Sequence, residues 1–299
     1  MRTVALATHS GCPKLSADDQ LLIPYLRDLD IEAKAVVWDN RETDWTEFDQ
    51  VIIRSCWDYH LRLPEFLAWI AVLESRSVDL QNNGALVRWN ADKRYLRRLE
   101  QCGITIPETH WLSEYEEASL SSVLAAHGWD CAVVKPTVSA TAHETRLVVR
   151  DADEILRGPA MVQEFMPEIQ TQGESSFIFF HGEFSHAVCK LPATGDFRVQ
   201  TQFGGSFREA IPTGWLIDAA TELLRDLEYQ TLYVRVDGLE REGKFVLMEL
   251  ELIEPILFVG LGRAASRFAQ TIALSLDRPP VSSTMSRILP NHGQRDPNS

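Results

Sequence analysis

No stretch of this sequence stays apolar for the roughly 18 residues a membrane span requires, so no bilayer crossing is expected. Positive charge is scarce. Lys and Arg number 29 against 43 Asp and Glu, a formal net charge of −14. A phosphate backbone or an anionic membrane would be repelled, which excludes general nucleic-acid or membrane-surface binding but leaves room for a local basic pocket. Cysteine is sparse as well. Cys12, Cys56, Cys102, Cys131 and Cys189 are odd in number and contain no CxxC pair, which argues for free thiols rather than a zinc site or a disulfide framework. Repeats and low-complexity segments are lacking. The apolar start, Thr3–Ala7, is too short for a signal-peptide core and reads as a buried strand, so a cytoplasmic protein is expected. What remains is ordinary globular composition over 299 residues, enough for two domains or three packed lobes.

Residues 1–80 alternate short apolar strands with helical patterns. Strands are expected at Thr3–Ala7, Ile31–Trp38 and Gln50–Arg54, with helices at Asp18–Asp28 and Pro64–Ser75. That alternation implies βαβ units and a parallel sheet. Ligands bind beyond the carboxyl ends of such strands, which places two loops at a site: His9-Ser10-Gly11-Cys12-Pro13 and Arg54-Ser55-Cys56-Trp57-Asp58-Tyr59-His60. A helix over Ala91–Cys102 follows, stopped by Gly103. The texture then changes to apolar strands between polar turns: Cys131–Lys135, Arg146–Val149, Ala160–Phe165, Ser176–Phe180 and Ser185–Lys190. A helix at Trp215–Leu227, a hairpin of Thr231–Asp237 with Lys244–Ile253, and a helix at Arg263–Leu276 complete the chain. The expected division is 1–90, 91–164 and 165–280, with a flexible tail over 281–299.

Local patterns point to chemistry at four places. In Met248-Glu249-Leu250-Glu251-Leu252, strand alternation puts Glu249 and Glu251 on one face. A turn centred near residue 242 sets Asp237 opposite Leu247 and diagonal to Glu249. Three converging carboxylates form a hard-oxygen site suited to Mg²⁺; the alternative is a solvated strand face. Lys135 ends an apolar strand before Pro136 and a small, hydroxyl-rich loop, Thr137–Thr145, a pattern that serves phosphates. Arg198 lies in Gly195-Asp196-Phe197-Arg198 ahead of Gly204-Gly205, suited either to an anionic ligand or to a surface ion pair. Gln163-Glu164-Phe165 turns a strand into a linker whose backbone could meet a flat base, with Glu174 beyond it.

Taken together and in order, these segments resemble the ATP-grasp superfamily, in its glutathione synthetase and ribosomal-protein glutamate ligase branch. Asn90-Ala91-Asp92-Lys93 with Gly103-Ile104-Thr105-Ile106-Pro107 is similar to its opening motif, and Val133-Val134-Lys135-Pro136 to its phosphate-lysine strand. The resemblance implies an α/β ATP-grasp fold: an N-terminal parallel-sheet substrate domain, a small central lid lobe and a C-terminal antiparallel-sheet lobe, with ATP between the last two. It implies that Lys93 and Lys135 hold ATP phosphates and that Gln163, Glu164 and Phe165 meet adenine, with Glu174 near ribose. Asp237, Glu249 and Glu251 would bind two Mg²⁺ (Mn²⁺ being an alternative ion), and Arg198 would steady the transferred phosphoryl group. Two departures stand out. Glu251 takes the place of the usual Asn, and the loop after Lys135 has no glycine.

The implied reaction activates a carboxylate as an acyl-phosphate, which an amine then attacks. The 137–145 loop is the expected lid, keeping water from the intermediate. Substrate recognition is assigned to the first domain, with Arg54 on a carboxylate and Trp57, Asp58, Tyr59 and Ser10 around it; Trp57 and Tyr59 could instead pack at a domain interface. Cys12 and His186 are read as structural. Arg54–Tyr59, Arg88–Lys93, Gly182–Ala187 and Met248–Pro255 narrow the resemblance to the cyclo-ligases that make D-cycloserine from O-ureido-D-serine. The rival readings are an intermolecular carboxylate–amine ligase and a non-catalytic nucleotide-binding module. A small-molecule substrate is expected, with no nucleic-acid or membrane partner, and a homo-oligomer.

Overall fold

The computed structural model describes residues 1–151, 154–226 and 230–278. The tail expected to be flexible lies outside the described residues, as does Leu227, the last residue of the helix expected at Trp215–Leu227. No helix among the described residues is long and apolar enough to cross a membrane.

Strands β1 (Arg2–Thr8), β2 (Ile31–Val37), β3 (Gln50–Ser55) and β4 (Leu80–Gln81) form a parallel sheet in the order β2-β1-β3-β4. β1 is apolar on both faces because both are covered. Val4 and Leu6 face one core, with Ile178, Phe180, Phe268 and Ile272 from the far end of the chain. Ala5 and Ala7 face another, with Trp38, Trp45, Phe66 and Trp69. The expected helix at Asp18–Asp28 is two short ones, Ala17–Gln20 and Leu22–Arg27. Pro24, in the first turn of the second, has no N–H to continue the first.

The central lobe carries β5 (Thr109–Leu112), β6 (Glu117–Ser119), β7 (Cys131–Pro136), β8 (Arg146–Val149), β9 (Ile155–Arg157) and β10 (Ala160–Glu164). Four of these make an antiparallel sheet, β5-β10-β7-β8, and β6 pairs with β9. The C-terminal sheet is antiparallel, β13-β12-β11-β14-β15, built from β11 (Glu174–Phe180), β12 (Glu183–Leu191), β13 (Ser206–Ala210), β14 (Tyr233–Arg241) and β15 (Lys244–Glu251).

The helix expected at Ala91–Cys102 is shorter, starting at Tyr95 and ending at Gln101. Helices Gly84–Asn90 and Tyr95–Gln101 flank a short break, where the Lys93 backbone N–H donates to the Thr137 carbonyl at 2.7 Å. Asn90 acts as a surrogate strand partner. Its Nδ2 donates to the Leu250 carbonyl and its Oδ1 accepts from the Leu252 N–H, at 2.8 and 2.9 Å.

Candidate active site

A cavity of about 420 Å³ opens where the three lobes meet. Its charged floor follows from strand register. Glu174 pairs across from Lys190, Ser176 from Asp237, Asp237 from Glu249 and Arg235 from Glu251. The expectation that Asp237 would lie opposite Leu247 is corrected. A bulge between Asp237 and Gly238 shifts the ladder, so Asp237 faces Glu249 directly. Gly238 suits the bulge because a Cβ there would meet the Phe245 ring at 2.4 Å.

Each acid on this floor is drawn to a cation. Lys190 donates to Glu174 at 2.7 Å and to Asp237 at 2.8 Å. Arg235 bonds Asp237 at 2.9 Å and also Glu251. Lys93 pairs with Glu249, and the Ser176 hydroxyl donates to Asp237 at 2.5 Å. Lys135 donates to the Gln163 side-chain oxygen at 2.9 Å. Burial opposes the charge of Asp237, but Arg235 and Lys190 outweigh it and hold its carboxyl well below the usual range. Burial also opposes the charge of Glu249, and Lys93 and Lys135 overcome it. Glu251 fares differently. Burial, only partly offset by Arg235, pushes it up to about 7, and Glu249 and Asp237 add to the rise. Burial and Glu251 raise Glu254 well above its ordinary value, while burial lowers Lys135.

The cradle therefore holds five carboxylates (Glu174, Asp237, Glu249, Glu251, Glu254) against four cations (Lys93, Lys135, Lys190, Arg235), all lining the cavity. The surplus of hard, negative oxygen fits a divalent cation of the Mg²⁺ kind. The expected convergence of Asp237, Glu249 and Glu251 is not reached, however. Among the described residues no three metal-ligating side chains form a closed cage; Glu249 pairs with Lys93 and Glu251 with Arg235 instead.

Beyond the cradle, Val133, Met166, Ile169 and Met248 line an apolar slot. The Glu164 N–H already donates to the Glu108 carbonyl at 2.8 Å, and the Glu164 side chain pairs with Arg241 at 2.8 Å. Phe165, just beyond it, also lines the cavity, where a flat ligand would meet the backbone. Arg198 lines the cavity, bonds Asp196 at 2.8 Å and stacks 3.6 Å above the Phe203 ring. Gly205 closes this loop against the Val199 carbonyl, which a Cβ would meet at 2.2 Å.

The glycine-free loop turns at Thr141 and Ala142, both left-handed at φ 53° and 57°. Such conformations are strained for these residues and persist where neighbours enforce them. Gln202 bonds the Thr141 carbonyl at 2.9 Å, and the His143 ring lies 5.1 Å from that of His60. The loop is held over the cavity from both sides.

Of the first-lobe residues, Trp57 and Tyr59 line the cavity, but Arg54, Asp58 and Ser10 do not. Arg54 is only 1% exposed. It pairs with buried Asp19 at 2.8 Å, donates to the Pro255 carbonyl at 2.7 Å and stacks over Tyr233. A structural guanidinium replaces the expected substrate anchor. Asp58 accepts from the Trp38 indole and from Arg62, and Ser10 is exposed. His186 is not part of the cavity lining, and its Nε2 donates to the Leu257 carbonyl at 2.9 Å.

Comparison with known proteins agrees with this geometry. Residues 4–82 match the family model described as the N-terminal domain of D-cycloserine synthetase DcsG. The crystal structure of D-cycloserine synthetase DcsG aligns with a TM-score of 0.76 at 27% identity, covering 92% of this chain and 99% of that one. A RimK domain ATP-grasp protein from Sphaerobacter thermophilus aligns at 0.64 and 18% identity, over 91% and 100% of the two chains. The chain is a ligase with the ATP-grasp fold. The cycloserine biosynthesis protein DcsG of Streptomyces lavendulae is 29% identical to this ligase over 304 residues, 91% of this chain and 98% of that protein. Four charged groups of the ligase's cavity escaped the sequence reading: Asp18, Lys190, Arg235 and Glu254. A signal existed for two of them. Arg235 is two residues before Asp237 on the same strand face, and Lys190 ends a strand whose partner begins at Glu174.

Proposed function

We propose that this ligase closes the isoxazolidinone ring of D-cycloserine, consuming ATP and O-ureido-D-serine. The observation that carries the reading is that one cavity joins the charged cradle to Trp57 and Tyr59 of the first lobe, within the segment matching the DcsG N-terminal domain. Lys93 and Lys135 bind phosphates, the apolar slot takes adenine, and Glu174 lies near ribose. The substrate carboxylate attacks the γ-phosphorus, ADP leaves, and an acyl-phosphate forms. The substrate's own alkoxyamine nitrogen then attacks the carbonyl carbon and phosphate departs. Water removes the carbamoyl group as CO₂ and ammonia. Asp237, Glu249 and Glu251 would hold two Mg²⁺, which supply charge neutralisation for the transferring phosphoryl group. Arg198 adds cationic charge at the same group, and the Thr137–Thr145 loop excludes water.

The test is ADP release with Mg²⁺, ATP and O-ureido-D-serine or its L-isomer, with the product identified by mass spectrometry. ADP and D-cycloserine from the D-isomer alone are expected. No ADP until a separate amine is added would replace ring closure by intermolecular ligation.

Metal binding has a second signature. A carboxyl raised in the folded state stabilises the fold below its unfolded value and loses that contribution as pH rises through the folded one. Without metal, Glu251 therefore costs stability between its ordinary range and about 7. Mg²⁺ is expected to raise the melting temperature more at pH 8 than at pH 5.5. An equal shift at both pH values would remove Glu251 from the metal set.

A further inference from the structure

Strand β15 ends at Glu251, and the chain continues through buried, irregular backbone. Six consecutive carbonyls there each bond a different side chain. Leu252 accepts from Asn82 at 2.9 Å, Ile253 from Tyr233 at 2.7 Å and Glu254 from Trp57 at 3.2 Å. Pro255 accepts from Arg54 at 2.7 Å, Ile256 from Arg235 at 3.1 Å and Leu257 from His186 at 2.9 Å. Buried backbone outside a ladder needs partners, but six side chains from two lobes do more than satisfy it. They fix the direction in which residue 254 points.

That direction is into the cavity. The Glu254 carboxylate has no hydrogen-bond or ion-pair partner among the described residues, whereas Glu174, Asp237, Glu249 and Glu251 each hold a cation. An uncompensated carboxylate is costly to bury, and a rigid clamp that forces one into a reaction cavity points to chemistry. Asp18 also lines the cavity with an unpartnered oxygen. The charges that act most on Asp18, however, are Asp19 and Arg54, while those that act most on Glu254 are Glu251, Lys93 and Glu249, at the cradle.

We propose that Glu254 is the base that takes the proton from the ring-closing nitrogen. The inference rests on the ring-closing reading above. The N–H bond breaks as its proton moves to a Glu254 oxygen. The nitrogen forms the new N–C bond, and the C–O bond to phosphate breaks with its electron pair leaving on phosphate. The acids that hold cations are unsuited to this step, since a proton would displace a partner they already bind.

The experiment measures ADP and D-cycloserine in the same reaction for the wild type, Glu254→Gln, Glu254→Asp and Asp18→Asn. In Glu254→Gln, ADP release is expected to continue while ring product per ADP falls by about 10²-fold or more, the lower end of the range for loss of a general base; the acyl-phosphate is hydrolysed and O-ureido-D-serine is recovered. Glu254→Asp, which keeps the carboxylate, is expected to retain the wild-type ratio within a few-fold, as is Asp18→Asn. An unchanged ratio in Glu254→Gln, a fallen ratio in Asp18→Asn instead, or equal loss of ADP and product in both folded Glu254 variants would overturn the assignment. A wild type that releases ADP without ring product fails at the parent reading and takes this one with it.

Discussion

Replacing Arg54 by leucine is expected to cost about 3–5 kcal/mol of stability, because it leaves Asp19 buried and unpaired. Asp19 is 3% exposed and also accepts from the Ser16 and Ser55 hydroxyls, so it is fixed in place and cannot turn to water. The loss should show as a melting temperature lower by many degrees and an earlier denaturant midpoint. In the fraction that folds, kcat is expected to fall more than the amino-acid KM rises, since Arg54 touches the Pro255 carbonyl and not the cavity. An unchanged melting temperature with a raised KM would return Arg54 to the role of carboxylate anchor.

Replacing Glu249 by glutamine is expected to lower turnover by at least 10²–10³-fold, the scale for removing one preorganised electrostatic group at a transition state. Stability is expected to fall as well, because Lys93 and Lys135 overcome burial to hold Glu249 ionised, and the neutral amide leaves Lys93 without its counter-charge. Steady-state rates across a Mg²⁺ titration, paired with thermal melts, separate the two effects. Full activity with an unchanged Mg²⁺ requirement would exclude Glu249 as a ligand.

Much of this was legible along the chain. The order of Asn90-x-x-Lys93, Lys135, Arg198, Asp237 and Glu249-x-Glu251 is a property of sequence, and alternation alone places Glu249 and Glu251 on one face. The ladder between β14 and β15 was not legible in detail. One bulge exchanges Leu247 for Glu249 as the partner of Asp237; only Gly238 hinted at it. Arg54 misled for a different reason. A strand-end arginine looks free until Asp19, 35 residues earlier, is known to face it. The partners of the 252–257 carbonyls come from β3, β12, β14 and the turns after β3 and β4, so no local pattern could announce them. Motif order is one-dimensional, whereas pairing of buried charge is settled only by tertiary packing.

The first sheet and the C-terminal sheet share a single apolar core running from Val4 and Leu6 to Phe268 and Ile272. The central sheet keeps a smaller core to itself, around Leu120, Leu124, Trp129 and Val162. The molecule is thus built as an anvil and a hammer. The acidic floor belongs to one continuous block, and the lobe with Lys135 is a separately cored roof that meets this block through Met161 and Trp111. A substitution inside the roof's own core is therefore expected to loosen one wall of the cavity while leaving the carboxylates of the floor in register.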